Sequence, residues 1–233
     1  MKIICTALLL SGLSAGAALS QDAARPAVVE LYTSQGCSSC PAADELLTKL
    51  AQRDDVIALA LHVNYWDYIG WTDTFGSQTF TDRQRAYAWF ASEKMVYTPQ
   101  MVVNGGKDKI VGDDAAALAQ KLAAAGGHDG PHLELGREGA TLRISAKAIR
   151  PLVEPARIEL VRYIPSAAVD IDRGENAGRR IVYSNIVTSW KTVGEWDGTE
   201  PLDMEVDATG DQPAVVLIQE KGPGTIFAAA VSR

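Results

Sequence analysis

Residues 27–41 read AVVELYTSQGCSSCP, and they carry the clearest structural pattern in the chain. Its first seven residues are rich in β-branched and apolar side chains and are followed at once by a polar, glycine-containing segment, which predicts a short strand entering a loop. From residue 42 to residue 51 the apolar side chains recur at helical spacing, with Leu46, Leu47 and Leu50 on one face. The pattern therefore predicts a strand, a CxxC loop and a helix.

Cys37 and Cys40 are close enough in sequence to form a small disulfide ring. The free N–H groups and the positive dipole end of the helix favour a thiolate at Cys37. We expect Cys37 to point outward as the nucleophile and Cys40, one turn deeper, to be the resolving thiol, with exchange through a mixed disulfide. This chemistry predicts a thiol–disulfide oxidoreductase that acts on protein or small-molecule thiols and disulfides. It needs a redox-recycling partner and no cofactor.

The first 20 residues predict a cleaved export signal. Lys2 precedes an apolar run that small residues break before it reaches the ~20 residues needed to span a bilayer. We therefore expect a periplasmic or secreted protein, in a compartment where disulfides persist. Of the three cysteines, Cys5 would leave with the signal. Cys37 and Cys40 are then too close together to stabilise a fold by closing a long loop.

The charge is acidic, with 22 basic and 29 acidic residues. Loss of Lys2 with the signal would leave 21 basic residues against the same 29 acidic ones. Such a surface gives no support to binding of nucleic acid or anionic membranes. The sequence predicts neither a nucleic-acid partner nor a membrane span.

The chain up to residue 126 predicts the element order β-α-β-α-β-β-α. Residues 56–63 are almost continuously apolar, as in a strand covered on both faces. A helix is predicted from an N-cap at Asp82 to about Lys94. Further predictions are a strand at 101–103, a turn at Asn-Gly-Gly, a strand at 109–111 and an alanine-rich helix ending at 125.

From His132 onward, short alternating runs are separated by Gly, Pro and Asp, which predicts an antiparallel sandwich. We expect strands near 133–135, 142–146, 158–164, 180–190, 202–206, 214–219 and 226–231. The predicted organisation is a signal at 1–20, an α/β domain at 25–126 and an all-β, sandwich-like domain at 132–233.

The element order, the CxxC after the first strand and the Thr98–Pro99 step before the hairpin strand together resemble the thioredoxin superfamily. The resemblance implies that Pro99 has a cis peptide bond and faces the dithiol, and that Thr98 binds an extended substrate segment. Glu30, seven residues before Cys37, resembles the buried acid that moves protons for the resolving cysteine. Burial there would raise its pKa. The alternative is an exposed glutamate on an edge strand.

The runs ELYTSQGCSSCPAAD (30–44) and YTPQMVVNG (97–105), within an exported chain that is β-rich in its second half, are similar to the domain-of-unknown-function family 1223. The likeness covers nearly the whole mature chain. It implies a thioredoxin-like fold and names no substrate.

The loop between the second strand and the second helix is dense in aromatic residues and follows the second strand, beside the predicted dithiol. We expect most of its side chains to pack over the core and at least one to lie near the site, with Tyr65 and Trp66 as candidates for substrate contact. Asp170, Asp172 and Asn176 hint at calcium without the spacing of a known loop, which favours a solvated hairpin.

Two other functions remain open. A copper-binding module would use Cys37 and Cys40 with His62 or Met101 as soft ligands, whereas structural zinc would lack a second pair of ligands. Alternatively, the first domain is a scaffold and the second binds a partner.

Overall fold

The computed structural model describes residues 25–106, 109–125 and 130–232, so the predicted signal lies outside the described residues. None of the described helices is long and apolar enough to cross a membrane. The elements are β1 (Ala27–Thr33), α1 (Cys40–Leu50), β2 (Val56–His62), a 3₁₀ turn (Asp67–Ile69), α2 (Gln78–Phe90), β3 (Gln100–Val103), β4 (Lys109–Val111), α3 (Ala115–Ala125), β5 (His132–Glu138), β6 (Thr141–Lys147), β7 (Ala156–Ile171), β8 (Arg179–Trp196), β9 (Leu202–Asp207), β10 (Ala214–Gln219) and β11 (Ile226–Ser232).

Eight strands form one mixed sheet in the order β11-β10-β7-β8-β2-β1-β3-β4. β1 lies inside this sheet, parallel to β2 and antiparallel to β3. Every residue of β1 and of β2 is buried, because helices or other layers cover both faces. The loop that carries the cysteines therefore leaves the sheet from a central, rigid strand.

The two faces of β1 meet different helices, because successive strand residues point to opposite sides. Val29 and Leu31 pack in one apolar cluster with Ala43 and Leu47 of α1. Tyr32 belongs to the other cluster, which includes residues of α2. This division decides which predicted site residues can meet the cysteines.

The second helix begins and ends four residues earlier than predicted. Ser77 is its N-cap, since its extended backbone lets its side chain accept a hydrogen bond from the N–H of Thr79. Asp82 lies one turn inside the helix, where it is exposed and accepts a hydrogen bond from Gln78. Ser92, which has a φ of 57°, takes the chain out of the helix. The predicted cap at Asp82 is wrong because Ser77 satisfies the helix N–H groups first.

The second half consists of strands, at each predicted place, and it contributes to two packed layers. β5, β6 and β9 form a separate three-stranded sheet, whose Leu142 and Ile144 pack against Ile158 and Val216 of the large sheet. β7, β8, β10 and β11, however, belong to the same eight-stranded sheet as β1 to β4. A parallel pair between Ala60 and Ile186 joins them. The two predicted domains thus share strand pairing, and their division stays a prediction.

Candidate functional site: a covered disulfide above a buried polar cluster

The cysteines form a disulfide in the loop between β1 and α1. Their Cα atoms are 5.4 Å apart, and the N–H of Cys40 donates to the carbonyl of Cys37 at 3.2 Å. Ser38 and Ser39 between them are exposed, whereas Cys37 is only 2% exposed and Cys40 is fully buried. The expectation that Cys37 points outward is wrong for this disulfide form, because the residue is almost fully buried.

The Thr98–Pro99 peptide bond is cis, as the resemblance implied. β3 pairs with β1 so that Gln100 lies opposite Tyr32, and continuing this antiparallel register brings Pro99 level with Thr33, at the start of the CxxC loop. The sequence and the sheet register thus bring Thr98, Pro99 and the cysteines to one end of β1.

Trp66 connects the two sides of this site. Its indole N–H donates to the hydroxyl of Thr98 at 2.7 Å. On the other side, a Cβ atom added to Gly36 would lie only 3.2 Å from the Cβ of Trp66. Glycine before Cys37 is therefore needed for this close approach, and Trp66 lies at the site as predicted for one aromatic residue of its loop.

Tyr65 points toward α2, where its hydroxyl donates to Gln84 at 3.1 Å. Its ring centroid is 6.2 Å from that of Trp66. A role for Tyr65 in contacting substrate stays a prediction.

Glu30 is fully buried, so the exposed edge-strand alternative is wrong. Its carboxylate faces α2, where it accepts two hydrogen bonds from Arg83, at 2.7 and 2.9 Å, and one from Tyr87 at 2.7 Å. Burial raises the pKa of Tyr87 far above its ordinary value, and Glu30 raises it further, so this phenol stays neutral and donates. Glu30 lies on the face of β1 opposite α1, and the structure does not bring it together with the cysteines.

The acid on the cysteine side is Asp44, which the sequence analysis missed. Asp44 follows Cys40 by one helical turn, both are buried on the same face of α1, and Thr33 donates to the Asp44 carboxylate at 2.7 Å. Burial raises the pKa of Asp44 to about 7, although His62 and Thr33 act to lower it. A signal was present in the sequence, because Asp44 interrupts the apolar face that Leu47 continues.

A buried histidine and a second aspartate complete this cluster. His62 Nδ1 lies 2.8 Å from the carboxylate of Asp73. The same Asp73 oxygen accepts from the backbone N–H of Gln35 at 2.8 Å, and the other oxygen accepts from the N–H of Phe75. Asp73 therefore ties the CxxC loop to His62. No sequence motif predicts the pairing of His62 with Asp73.

Three polar atoms in the cluster are buried without a hydrogen-bond partner among the described residues: Asp44 Oδ2, His62 Nε2 and the Tyr183 hydroxyl. The rings of His62 and Tyr183 are in edge contact, with centroids 4.8 Å apart. Burial, and then the charges of Asp44 and Asp73, raise the pKa of Tyr183 above its ordinary value. A buried polar group without a hydrogen-bond partner lowers the stability of the folded protein. Several such groups beside one disulfide therefore point to a functional role for this cluster.

Asn176, in the loop between β7 and β8, also reaches the cysteines. Its side-chain N–H₂ donates to the backbone carbonyls of Gln35 and Cys37, each at 2.9 Å. The predicted calcium alternative is not supported by this geometry, because Asn176 presents hydrogens to the loop and Asp170 pairs with Arg180.

Among the residues that the structure describes, no three His, Cys, Asp or Glu side chains are grouped so that they could hold a metal ion. His62 uses one ring nitrogen for Asp73, and Met101 is buried in the apolar cluster behind α1. The copper alternative therefore gains no support from the arrangement.

The described residues form a mostly β protein with three α-helices and with a CxxC disulfide at the start of the first of them. The chain belongs to the family described as protein of unknown function (DUF1223), whose model matches residues 28–219. This identifies the family that the two sequence runs resembled.

Two solved structures are similar. One is a crystal structure of an Agrobacterium tumefaciens protein from a structural genomics consortium, with 32% identity and a TM-score of 0.75, covering 88% of this chain and 92% of that one. The other, HBP35 of Porphyromonas gingivalis, has 14% identity and a TM-score of 0.63, covers 90% of this chain and 75% of that one, and supports the fold alone. No curated protein matches the sequence.

Proposed function

We propose that this protein is an exported thiol–disulfide oxidoreductase with a thioredoxin-like first half. The observation that carries the proposal is the Cys37–Cys40 disulfide, which spans the end of the loop after the central strand β1 and the first turn of α1. A lone CxxC has several uses, but this one lies at a helix start and at the same end of β1 as the Thr98–Pro99 step, which the thioredoxin resemblance associates with substrate binding.

The reaction begins with the reduced protein. The Cys37 thiolate attacks one sulfur of a substrate disulfide, so that a mixed disulfide forms and the other substrate sulfur leaves as a thiolate. Cys40 then loses its proton and attacks Cys37 Sγ, which closes the Cys37–Cys40 disulfide and releases the second substrate thiolate. Two electrons pass from the protein to the substrate, and the reverse sequence oxidises a substrate dithiol.

Asp44 is the group that handles the proton of Cys40 in this proposal. It replaces Glu30, which the resemblance had suggested, because Glu30 is bound by Arg83 on the other face of β1. Asp44 is buried one turn from Cys40, and its pKa of about 7 suits a group that takes and returns a proton near neutral pH. Asp73 contacts both the backbone N–H of Gln35 in the CxxC loop and His62, and it thereby holds the loop in place beside Asp44.

The test is redox titration of the mature protein in buffers of defined glutathione ratio, with the dithiol and disulfide forms counted by mass after alkylation. We expect full two-electron interconversion in the wild type. Cys37→Ser should abolish exchange with a disulfide substrate, whereas Cys40→Ser should accumulate a mixed disulfide at Cys37. Ser38→Ala, which changes an exposed neighbour, is the matched control.

A wild-type protein that does not interconvert at any ratio would refute the oxidoreductase proposal. The reduction potential decides direction: a value near that of the periplasmic oxidants means disulfide donation, and a much lower one means reduction. The export part is tested separately, by the mass of the N-terminus in the periplasmic fraction or culture medium.

A further inference from the structure

The loop that joins β7 to β8, residues 172–178, ends a hairpin of 16- and 18-residue strands. Every residue of this loop is exposed except Asn176, which is 1% exposed. A single buried polar residue in a solvated loop indicates that the loop is docked onto another part of the molecule. The surface that receives it is the CxxC loop.

The contacts are specific. Both partners of the Asn176 side chain are backbone carbonyls, those of Gln35 and Cys37, so its nitrogen must face them and both of its hydrogens are used. Gly174 lies against Trp71, since a Cβ added to Gly174 would be 3.3 Å from the Cβ of Trp71. The indole N–H of Trp71 donates in turn to the Gln35 side chain at 2.8 Å. The hairpin loop therefore holds the CxxC loop both directly and through Trp71.

Cys37 is held by this docking through its own backbone carbonyl. Cys37 is 2% exposed although the next two residues are exposed. A thiolate must approach Cys37 Sγ along the line of the breaking S–S bond, and a sulfur this well covered offers no such path. The CxxC loop must shift for exchange to occur, and the two bonds from Asn176 oppose that shift.

We propose that Asn176 is a positioning residue for the dithiol, through which the loop between β7 and β8 keeps the CxxC loop closed over Cys37 until a thiol or disulfide partner displaces it. The inference rests on the proposed function. It assigns a role to the second half of the chain: control of access to the cysteines.

The experiment measures how fast dithiothreitol reduces the disulfide of the full-length mature protein at 25 °C. One dithiothreitol thiolate attacks Cys37 Sγ and releases Cys40 as a thiolate, which takes a proton. The second dithiothreitol thiol then closes its own ring and frees Cys37. We expect Asn176→Ala to speed this reduction by about tenfold, as the loss of two neutral hydrogen bonds implies. Asn176→Asp, which cannot donate and sets a charge against two carbonyls, should speed it more.

Two controls separate access from general weakening. Glu175→Gln changes an exposed neighbour in the same loop and should leave the rate unchanged. Leu142→Ala lowers stability in the apolar cluster between the two sheets, which contains no residue of the CxxC loop, and should also leave the rate unchanged. If the Asn176 variants do not fold, Gly174→Ala tests the same docking, because its added Cβ would lie only 3.3 Å from the Cβ of Trp71 and its φ of 77° disfavours alanine.

Rates within twofold of wild type in the folded variants would overturn the inference, as would an equal acceleration in Leu142→Ala. These outcomes differ from failure of the proposed function. Dithiothreitol opens the disulfide whether or not the protein exchanges with a biological substrate, so the access result stands when the glutathione titration fails.

Discussion

Replacing Asp44 by Asn should make the stability of the oxidised protein almost independent of pH between 4 and 8. Asp44 is fully buried, and the groups that face it are Thr33 from β1, His62 from β2, Asp73 from the aromatic loop and Tyr183 from β8. Asparagine keeps the oxygen that accepts from Thr33. Its N–H₂ group takes the place of the carboxylate oxygen Oδ2, which has no hydrogen-bond partner among the described residues.

The magnitude follows from the shift in the pKa of Asp44, from 3.8 to about 7, caused mainly by burial. A shift of this size corresponds to about 4 kcal/mol of differential stability between the two protonation states. The folded protein binds this proton more tightly than the unfolded chain does. Stability is therefore lost as pH rises from about 4 to about 7 and stays level above that range.

Asp44→Asn removes this loss, so at pH 8 the variant should be more stable than the wild type by up to about 4 kcal/mol, or roughly 10 °C in Tm. Near pH 4 the two proteins should be nearly equal. The assay is urea unfolding of the oxidised proteins at half-unit pH steps. Asp54→Asn, at an exposed position, controls for a change of net charge.

Parallel stability curves for Asp44→Asn and wild type across this range would refute the assignment of the proton to Asp44. The same variant has a functional readout. Without an acid at this position, the step in which Cys40 resolves the mixed disulfide should slow by about tenfold to hundredfold. A wild-type rate for this step in Asp44→Asn would show that Cys40 does not need Asp44 as its proton acceptor.

Two further predictions concern Glu30 and Trp66, which the sequence named as candidate site residues. Glu30→Gln should lower the free energy of unfolding by about 3 kcal/mol, since it leaves the largely buried Arg83 side chain without its counter-charge. The glutathione equilibrium of the dithiol should not change. A tenfold change in that equilibrium would show that Glu30 does act on the cysteines. Trp66→Phe removes the hydrogen bond to Thr98. It should raise the KM for a protein disulfide about fivefold with kcat little changed, as expected for the loss of one neutral hydrogen bond. Thr98→Val should have the same effect, and a fall in kcat alone would contradict the prediction.

The local elements and the CxxC pair were predictable from the sequence alone. The apolar runs at 27–33 and 56–62, the helical spacing after Cys40 and the glycine turn at Asn104 each depend on neighbours within a few residues, and the structure has them at the predicted places. The second helix was displaced because two polar residues, Ser77 and Asp82, both suit an N-cap, and only the packed helix selects between them.

The polar groups that meet around the cysteines depend on tertiary packing and were not predictable from local sequence. Whether Glu30 or Asp44 shares a compartment with Cys40 depends on which face of β1 each helix covers, and the alternation of side chains along a strand makes that choice absolute. Asn176 lies 139 residues from Cys37 in sequence. Its contact requires that β8 pair with β2 in one sheet, and no short-range pattern encodes that pairing.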